Sequence, residues 1–376
     1  MSKSDKHNLR IVSATLFIPL LVEGITVMRG SVNGLITSFI YLGFLSVVMC
    51  VTFNRIRAID LFVLAGVYSF FVVNILLFPS TVDYYNDKAM IMTVIFYLPI
   101  CAFVVNHIKN WNGLFEEMKP FAAASVPIAL YMVIFSDISQ YENLFTYMDF
   151  SYCLLPFVAV LYLVGRKGRS YIWYALFAID ALCMVLYGAR ATFLFLVIFI
   201  AGYEYLYGNS RFRLYLLGAI FITTTIATLF YADIIIYLGS IDGIKDSRLV
   251  EKALIGQLTD GGDRDMLVMQ SIARISTMGI EIPGLYGDRA YIQGVYPHNI
   301  VLEILMQFGI IIGSLILILF LIIIKVDIFD TQYSIPALFL CCILFGKFMF
   351  SGSYIQDGTF WLWLFAMVCI FRSSKW

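Results

Sequence analysis

The sequence predicts an all-α fold, a polytopic bundle of about twelve transmembrane helices. Hydrophobic residues make up 61% of the 376 positions, charged residues make up only 13%, and the mean hydropathy is +0.89. A soluble domain carries about 25% charged residues, so this chain has too few charges to cover a water-facing surface of its size. Lipid is therefore predicted to be the solvent for most of the protein.

The predicted spans are apolar segments near the roughly 20 residues that a bilayer requires. They lie near 11–28, 32–53, 59–78, 89–106, 120–136, 150–165, 171–188, 191–208, 214–238, 299–324, 333–350 and 358–371. The first run lacks a small-residue cleavage site, which favours an uncleaved span over a signal peptide. The whole chain, 1–376, is predicted to form a single membrane domain.

The charges of the loops predict the orientation, because cytoplasmic loops carry an excess of Lys and Arg. With the N-terminus in the cytoplasm, the cytoplasmic segments hold fifteen basic residues. The short outer loops then hold only three, which are Arg29, Lys88 and Arg190. Both termini are therefore predicted to be cytoplasmic.

One predicted outer loop, 239–296, lies between predicted spans 9 and 10 and is far longer than a connector. Connections beyond about 15 residues are uncommon and usually functional. Residues 246–258 place apolar side chains along one helical stripe, which favours a helix lying at the membrane surface. Asp263 suits the N-cap of a second helix that begins at Arg264.

His298 is the first candidate for chemistry, at the outer entrance of the tenth predicted span. Pro297 suits the first turn of that helix. A neutral imidazole is favoured beside the positive end of a helix dipole, which suits a hydrogen-bonding or general-base role. The alternative is an interfacial histidine that is satisfied by water. Glu303 follows about one turn later, where it is placed to orient a cation.

Arg190 is the second candidate, at the outer start of the eighth predicted span. A cation there opposes the helix dipole at a cost of roughly 0.3–1 kcal/mol. A bound anion would reverse that cost, because helix N-terminal amides and a guanidinium both bind phosphate. The alternative is an arginine that reaches the lipid headgroups. The long loop adds further arginines, which are otherwise solvated charges: Arg248, Arg264, Arg274 and Arg289.

Ionisable groups within predicted spans are functional candidates, since such groups face the bundle interior. They are Glu23, Asp180, Glu204, Asp233, Glu303 and Lys347. Lys347 is a candidate partner of Asp180. Asp263 and Asp265 form a metal-like pair, but a three-residue pattern is weak evidence, so no metal and no cofactor are predicted.

The string around His298 is more specific than its position. It reads Pro-His-Asn-Ile-Val-Leu-Glu over 297–303, and Gly309 follows His298 after ten residues. This string resembles the signature of the O-antigen polymerase and O-antigen ligase superfamily. Gly-Asp-Arg at 262–264 and Pro-Gly-Leu-Tyr-Gly at 283–287 resemble the loop that precedes the family's histidine. Arg190 matches the family's other arginine, although Ala201 stands where that motif often has glycine.

The resemblance implies a GT-C-like membrane glycosyltransferase that acts on glycans linked to undecaprenyl pyrophosphate at the periplasmic face of a bacterial inner membrane. It implies membrane lipid and a chain-length regulator protein as partners, and no nucleotide sugar, essential metal or nucleic acid. The residues expected to be catalytic are His298, Arg190 and Arg264. Those expected to bind substrate are Asn299, Arg289, Arg274 and Glu303.

Two alternatives remain open from the sequence. A polymerase moves the growing glycan to the next lipid-linked repeat unit, whereas a ligase moves it to lipid A core. The short chain and its 33 Phe and 24 Tyr residues favour the polymerase. A transporter would need a polar central pathway and internal repeats, and the sequence shows no repeat.

The predicted orientation is tested by a cysteine added in the long loop of a variant whose seven native cysteines are replaced by serine. Ser247→Cys should react with a membrane-impermeant thiol reagent in intact spheroplasts, because 239–296 is predicted to face the periplasm. A cysteine introduced at Ser4, in the basic N-terminal segment, is the control and should react only after lysis. Labelling of Ser247→Cys only after lysis would contradict the orientation.

Overall fold

The computed structural model describes residues 1–29, 34–135, 147–186, 190–208 and 263–374. Within these ranges every regular element is a helix and no strand occurs, so the all-helical class is confirmed. The predicted span 214–238 and the predicted surface helix 246–258 lie outside the described residues.

Six helical segments in the described ranges are long and apolar enough to cross a bilayer. They are Lys3–Met28, Ala58–Leu77, Lys88–His107, Trp111–Ile134, Met148–Gly168 and Ile300–Phe329. Shorter apolar helices lie at Phe39–Thr52, Tyr171–Leu186, Ala191–Tyr207, Ser334–Met349 and Gly358–Ser373. These segments support a polytopic membrane protein, while the count of about twelve spans stays a prediction.

The described helices are numbered here in chain order. They are α1 (Lys3–Arg29), α2 (Gly34–Thr52), α3 (Ala58–Leu77), α4 (Lys88–Met92), α5 (Leu98–Phe103), α6 (Leu114–Phe135), α7 (Tyr147–Gly168), α8 (Tyr171–Leu186), α9 (Arg190–Tyr207), α10 (Asp263–Thr277), α11 (Gly287–Tyr291), α12 (Ile300–Phe329), α13 (Ser334–Phe339) and α14 (Gly358–Ser374). π-Helical turns at Thr93–Tyr97 and Leu340–Phe345 follow α4 and α13. The helix predicted from Arg264 is α10, and α1 begins well before the predicted boundary near residue 11.

The contacts within the chain define two units. The first comprises Met1–Val12, Tyr41–Gly113 and Gly261–Trp376, and the second comprises Ser13–Ile40 and Leu114–Asp260. A single membrane domain over the whole chain stays a prediction. The candidate site described below lies entirely within the first unit.

Buried acids in the second unit are bound by neighbouring side chains. Ser125 donates to Asp180 Oδ2 at 2.7 Å. Glu204 Oε1 accepts from the Tyr162 hydroxyl at 2.7 Å and from Arg166 Nε at 2.8 Å. Such pairing lowers the cost of placing a carboxylate in an apolar bundle.

Asp180 and Lys347, a candidate pair from the sequence, lie in different units, and their pairing stays a prediction. Lys347 Nζ forms an ion pair with Asp357 Oδ2, ten residues further along the first unit. A short connection brings these two charges together, which the hydropathy pattern alone does not reveal. Asp233 lies outside the described residues.

Helix α12 is interrupted at Gly309, where φ is 73° and ψ is 170°. The carbonyl of Gln307 accepts from the amide of Gly284 at 2.9 Å, so the segment that follows α10 is bound to the helix at this break. A Cβ on Gly309 would lie 2.6 Å from the carbonyl oxygen of Glu281. Glycine is therefore required both for this backbone conformation and for the close approach of another chain segment.

Gly309→Ala is expected to lower the melting temperature of the purified protein in detergent. The side chain adds conformational strain of about 1–3 kcal/mol and a contact with the Glu281 carbonyl that is too short. Gly66→Ala in α3 is the control, because nothing lies within 4 Å of its added Cβ. An unchanged melting temperature for Gly309→Ala would contradict the break in α12.

Candidate functional site

Polar side chains cluster at the N-terminal end of α12, in the first unit. This polar cluster consists of Asp288, Arg289, Glu303, Gln307, Ser353, Tyr354 and Gln356. Asp288, Glu303 and Gln307 are fully buried, and Arg289 is 4% exposed. Charged side chains are almost never buried to this extent unless they are paired. The partners of these groups therefore decide what the cluster can do.

The side chain of Gln307 links two carboxyl groups. Its Nε2 lies 2.7 Å from Asp288 Oδ1 and 3.5 Å from Glu303 Oε1. Its Oε1 accepts from the Tyr354 hydroxyl at 2.6 Å. Glu303 also accepts from the Ser353 hydroxyl and from the Tyr354 amide. Glu303 is thus held by protein groups, and its expected role in substrate binding stays a prediction.

Asp288 is the acid of the polar cluster that lies outside the membrane-spanning segments. Burial raises the pKa of its carboxyl to about 6, against the opposing effects of the Gln307 hydrogen bond and the Arg289 charge. Its Oδ2 is buried and has no hydrogen-bond partner among the described residues. One oxygen of Asp288 is therefore fixed by Gln307, and the other remains available as an acceptor.

Arg289 is held in place by an amide and two aromatic rings. Its Nη2 donates to Gln356 Oε1 at 2.8 Å. Its Cζ lies 4.7 Å from the ring centroid of Tyr286 and 5.3 Å from that of Tyr296. Ring faces attract a desolvated cation, so the two rings and the Gln356 amide hold the guanidinium in one orientation. Its Nε has no hydrogen-bond partner in the described part of the chain.

His298 lies before α12 rather than in its first turn. Asn299 is the N-cap, and its Oδ1 accepts from the amides of Val301 and Leu302 at 3.0 and 3.2 Å. The expectation that Pro297 occupies the first turn is wrong, because this capping side chain comes two residues later. Asn299 Nδ2 donates to the Met349 carbonyl at 3.1 Å, so its expected substrate-binding role stays a prediction.

The backbone around His298 adopts uncommon conformations. Three of the four non-glycine residues with positive φ in the described ranges lie here: Tyr286 at 64°, Gln293 at 53° and His298 at 54°. Such residues cost energy and tend to concentrate at functional sites. The segment 286–298 is therefore held in its conformation by its surroundings.

The imidazole of His298 is neutral at pH 7. Burial, followed by the charges of Arg264 and Arg289, lowers its pKa to about 4. The ring lies against Tyr296, with ring centroids 4.2 Å apart. Its Nδ1 is buried and has no hydrogen-bond partner among the residues that are described. A neutral ring with a buried nitrogen suits the hydrogen-bonding role predicted from the sequence.

Unsatisfied polar atoms are concentrated in this region. In this region, five buried side-chain atoms have no hydrogen-bond partner among the described residues: Tyr286 Oη, Asp288 Oδ2, Arg289 Nε, His298 Nδ1 and Gln356 Nε2. Each such atom costs about 1–3 kcal/mol if nothing completes its bonding, and native proteins contain few of them. Their concentration indicates a place for water or for a ligand that offers both donors and acceptors.

The chemistry of these residues is the basis on which a function can be assigned. No protein-family model, curated protein or solved structure matches this chain. Since no match identifies a family, the resemblance of the string around His298 to the O-antigen superfamily supports a proposed function only. The buried atoms of the polar cluster supply an independent argument.

The other arginines predicted for the site differ in their surroundings. Arg264 Nη1 donates to the Phe350 carbonyl at 3.2 Å, and its charge acts on His298. Arg274 Nη2 binds Glu281 Oε2 at 2.8 Å, and the guanidinium lies 5.2 Å from the Tyr291 ring centroid. Arg264 and Arg289 thus belong with His298, whereas Arg274 has a structural partner and its expected substrate-binding role stays a prediction.

Arg190 begins α9 in the second unit, but its side chain lies outside the described residues. Its convergence with His298 stays a prediction, as does any role of Arg248. In the part of the chain that is described, no group of three or more His, Cys, Asp or Glu side chains is placed to hold a metal ion.

Sequence reasoning missed five members of the polar cluster: Asp288, Gln307, Ser353, Tyr354 and Gln356. A signal existed for Gln307, because it lies four residues after Glu303 and so shares one face of a helix in an otherwise apolar run. No local pattern marks Asp288 or Gln356, since their partners lie far away in the sequence. Tyr354 does not stand out in the sequence, because the chain contains many aromatic residues.

The titration of His298 is a direct test of this electrostatic arrangement. NMR of histidine-labelled protein should show one imidazole that stays neutral to about pH 4, assigned by its loss in His298→Gln. Arg264→Gln should raise this pKa towards 6.5, because one of the charges that lower it is removed. Arg274→Gln, the control, should leave it unchanged.

The same shift fixes the sign of a pH effect on stability. Between pH 6.5 and about 4 the unfolded state binds a proton at this histidine that the folded state does not. This histidine therefore makes the free energy of unfolding fall as the pH falls through that window. A His298 signal that titrates near 6.5 in the folded protein would contradict the described environment.

Proposed function

We propose that this protein is an O-antigen polymerase, a metal-independent glycosyltransferase with about twelve spans and a GT-C-like fold. It would transfer the growing glycan from undecaprenyl pyrophosphate to the next lipid-linked repeat unit at the periplasmic face of the inner membrane. The observation that supports this is the set of unsatisfied buried atoms beside His298, at the end of α12. Polyhydroxylated sugars offer both the donors and the acceptors that these atoms lack.

His298 acts on the incoming sugar hydroxyl in this proposal. A general base works best with a pKa near the operating pH, and a pKa of about 4 is too low for efficient proton removal. With that pKa, the imidazole would orient the hydroxyl through a hydrogen bond rather than remove its proton. An anion that neutralises Arg264 and Arg289 would raise the pKa of His298. Binding of the lipid pyrophosphate would thus make His298 a stronger base.

The arginines act on the leaving group. Transfer breaks the bond between the sugar and the pyrophosphate, and negative charge develops on the phosphate oxygen. Guanidinium groups stabilise such charge through bidentate hydrogen bonds. Arg264 and Arg289 lie near His298, and Arg190 would be the third. The pyrophosphate linkage supplies the driving force, so no nucleotide is required.

Two alternative functions, ligase and transporter, can be distinguished from the polymerase in one experiment. A ligase shares the donor lipid and the leaving group but transfers the glycan to lipid A core. A transporter would move lipid-linked glycan across the bilayer without making a new bond. The products formed by the purified protein separate all three.

Purified protein in vesicles should extend lipid-linked repeat units into longer glycans, in the presence of EDTA as in its absence. His298→Ala should reduce elongation by at least a hundredfold, a loss of about 2.7 kcal/mol in transition-state stabilisation. Arg264→Lys should also lose elongation activity, because an ammonium cannot reproduce the bidentate binding of a guanidinium. Products are measured by gel electrophoresis and mass spectrometry.

Arg55→Lys is the matched control for the arginine substitution. Arg55 binds Ser4 through Nη1 at 3.4 Å, is exposed and is not part of the polar cluster, so activity should be unchanged. Transfer to lipid A core alone would indicate a ligase, and transport without elongation would indicate a transporter. Full chain length with His298→Ala would exclude the proposed role of this histidine.

A further inference from the structure

An apolar cavity of about 140 Å³ lies beside the polar cluster in the first unit. We call it the aromatic groove. Rings from three helices form much of its wall: Phe70 and Phe71 of α3, Phe308 and Phe320 of α12, and Phe360 and Trp361 of α14. Tyr354 is the lining residue that also belongs to the polar cluster.

The aromatic groove is a partly open recess lined by apolar side chains. Interiors are normally filled to the density of organic crystals, with few voids larger than a water molecule. Large unfilled cavities destabilise a fold, and an apolar cavity of about 150 Å³ can take an apolar molecule the size of benzene. The aromatic groove therefore has the size and the lining for part of a hydrocarbon chain.

The groove opens towards the surface that meets lipid. The spans of α3 and α12 are only 17% and 11% buried within the protein, so most of their apolar side chains face outwards. Phe70 belongs both to the groove and to this outer surface, with 44% of its area exposed. A chain that enters the groove can therefore come directly from the bilayer.

The groove adjoins the polar cluster at Tyr354. The Tyr354 ring lines the groove, while its hydroxyl donates to Gln307 Oε1. Leu285 and Ile304 also line the groove. In the chain, Leu285 is followed by Tyr286, and Ile304 is preceded by Glu303. A molecule that fills both places must have an apolar chain joined to a polar head.

We propose that the aromatic groove holds the isoprenoid chain of the lipid-linked substrate and thereby positions its pyrophosphate at the polar cluster. The identity of the head rests on the proposed function, whereas the place of the chain rests on the groove. An isoprenoid carries repeated methyl branches and is wider than a straight acyl chain. That width suits a cavity walled by rings, which make close contacts with methyl groups.

Photo-crosslinking in nanodiscs tests the groove without requiring transfer. A diazirine-bearing polyprenyl pyrophosphate should label peptides that contain Phe308 or Trp361, and unlabelled undecaprenyl pyrophosphate should compete. Ile316→Trp fills the groove and should reduce labelling at least tenfold. Ile318→Trp is the matched control, because this residue of the same helix is 50% exposed and does not line the groove, so labelling should persist.

Several outcomes would overturn the proposal. Equal labelling in Ile316→Trp and wild type would exclude the groove. Labelling by a diazirine phosphatidylglycerol that undecaprenyl pyrophosphate does not displace would assign the groove to phospholipid acyl chains. If Ile316→Trp does not fold, competition on the wild-type protein decides, since labelling elsewhere or without competition contradicts the assignment.

The proposed role of the groove and the proposed glycosyltransferase function can be contradicted separately. Competed labelling at the groove with no elongation by the wild-type protein would retain the groove for an isoprenoid lipid and reject glycan transfer. Elongation by Ile316→Trp with unchanged KM and unchanged labelling would retain glycan transfer and reject the groove. A raised KM for the lipid donor in Ile316→Trp, with kcat largely kept, is the result expected if both hold.

Discussion

The amide of Gln307 joins three segments that are distant in the sequence. It donates to Asp288 of α11, lies near Glu303 one turn earlier in α12, and accepts from Tyr354 in the connection before α14. Two buried carboxyl groups this close would repel each other if both were ionised. A neutral group that donates to one and accepts from a third partner keeps them together at low dielectric. Arg289 follows Asp288 directly in the chain, and Tyr354 lines the aromatic groove, so the junction is connected to both.

The sequence predicted the helices well where hydropathy alone decides them. The span predicted at 59–78 is Ala58–Leu77, and the one predicted at 299–324 begins at Ile300. Ends are set by where apolar side chains stop, and Asn299 adds a clear capping signal. The break at Gly309 was not predictable in this way, because the Glu281 carbonyl that approaches Gly309 belongs to another segment.

The candidate site was predictable in part. His298 and the neighbouring arginines stand out because the short loops on the predicted outer side carry few basic residues. Their consequences depend on tertiary structure: the left-handed backbone of His298, the aromatic faces around Arg289 and the burial of Asp288. The ion pair of Lys347 with Asp357 shows the same limit, since both charges are visible in the sequence but the partner is not.

The interruption at Gly309 divides α12 into a short part that carries Glu303 and Gln307 and a long part that is almost wholly apolar. A transmembrane helix adjusts to bilayers of different thickness by tilting. A continuous helix would carry any such tilt to its polar end. A break with a separate hydrogen bond from Gly284 to Gln307 anchors the short part to its own neighbours. That hydrogen bond would then hold the geometry around His298 where the long part tilts.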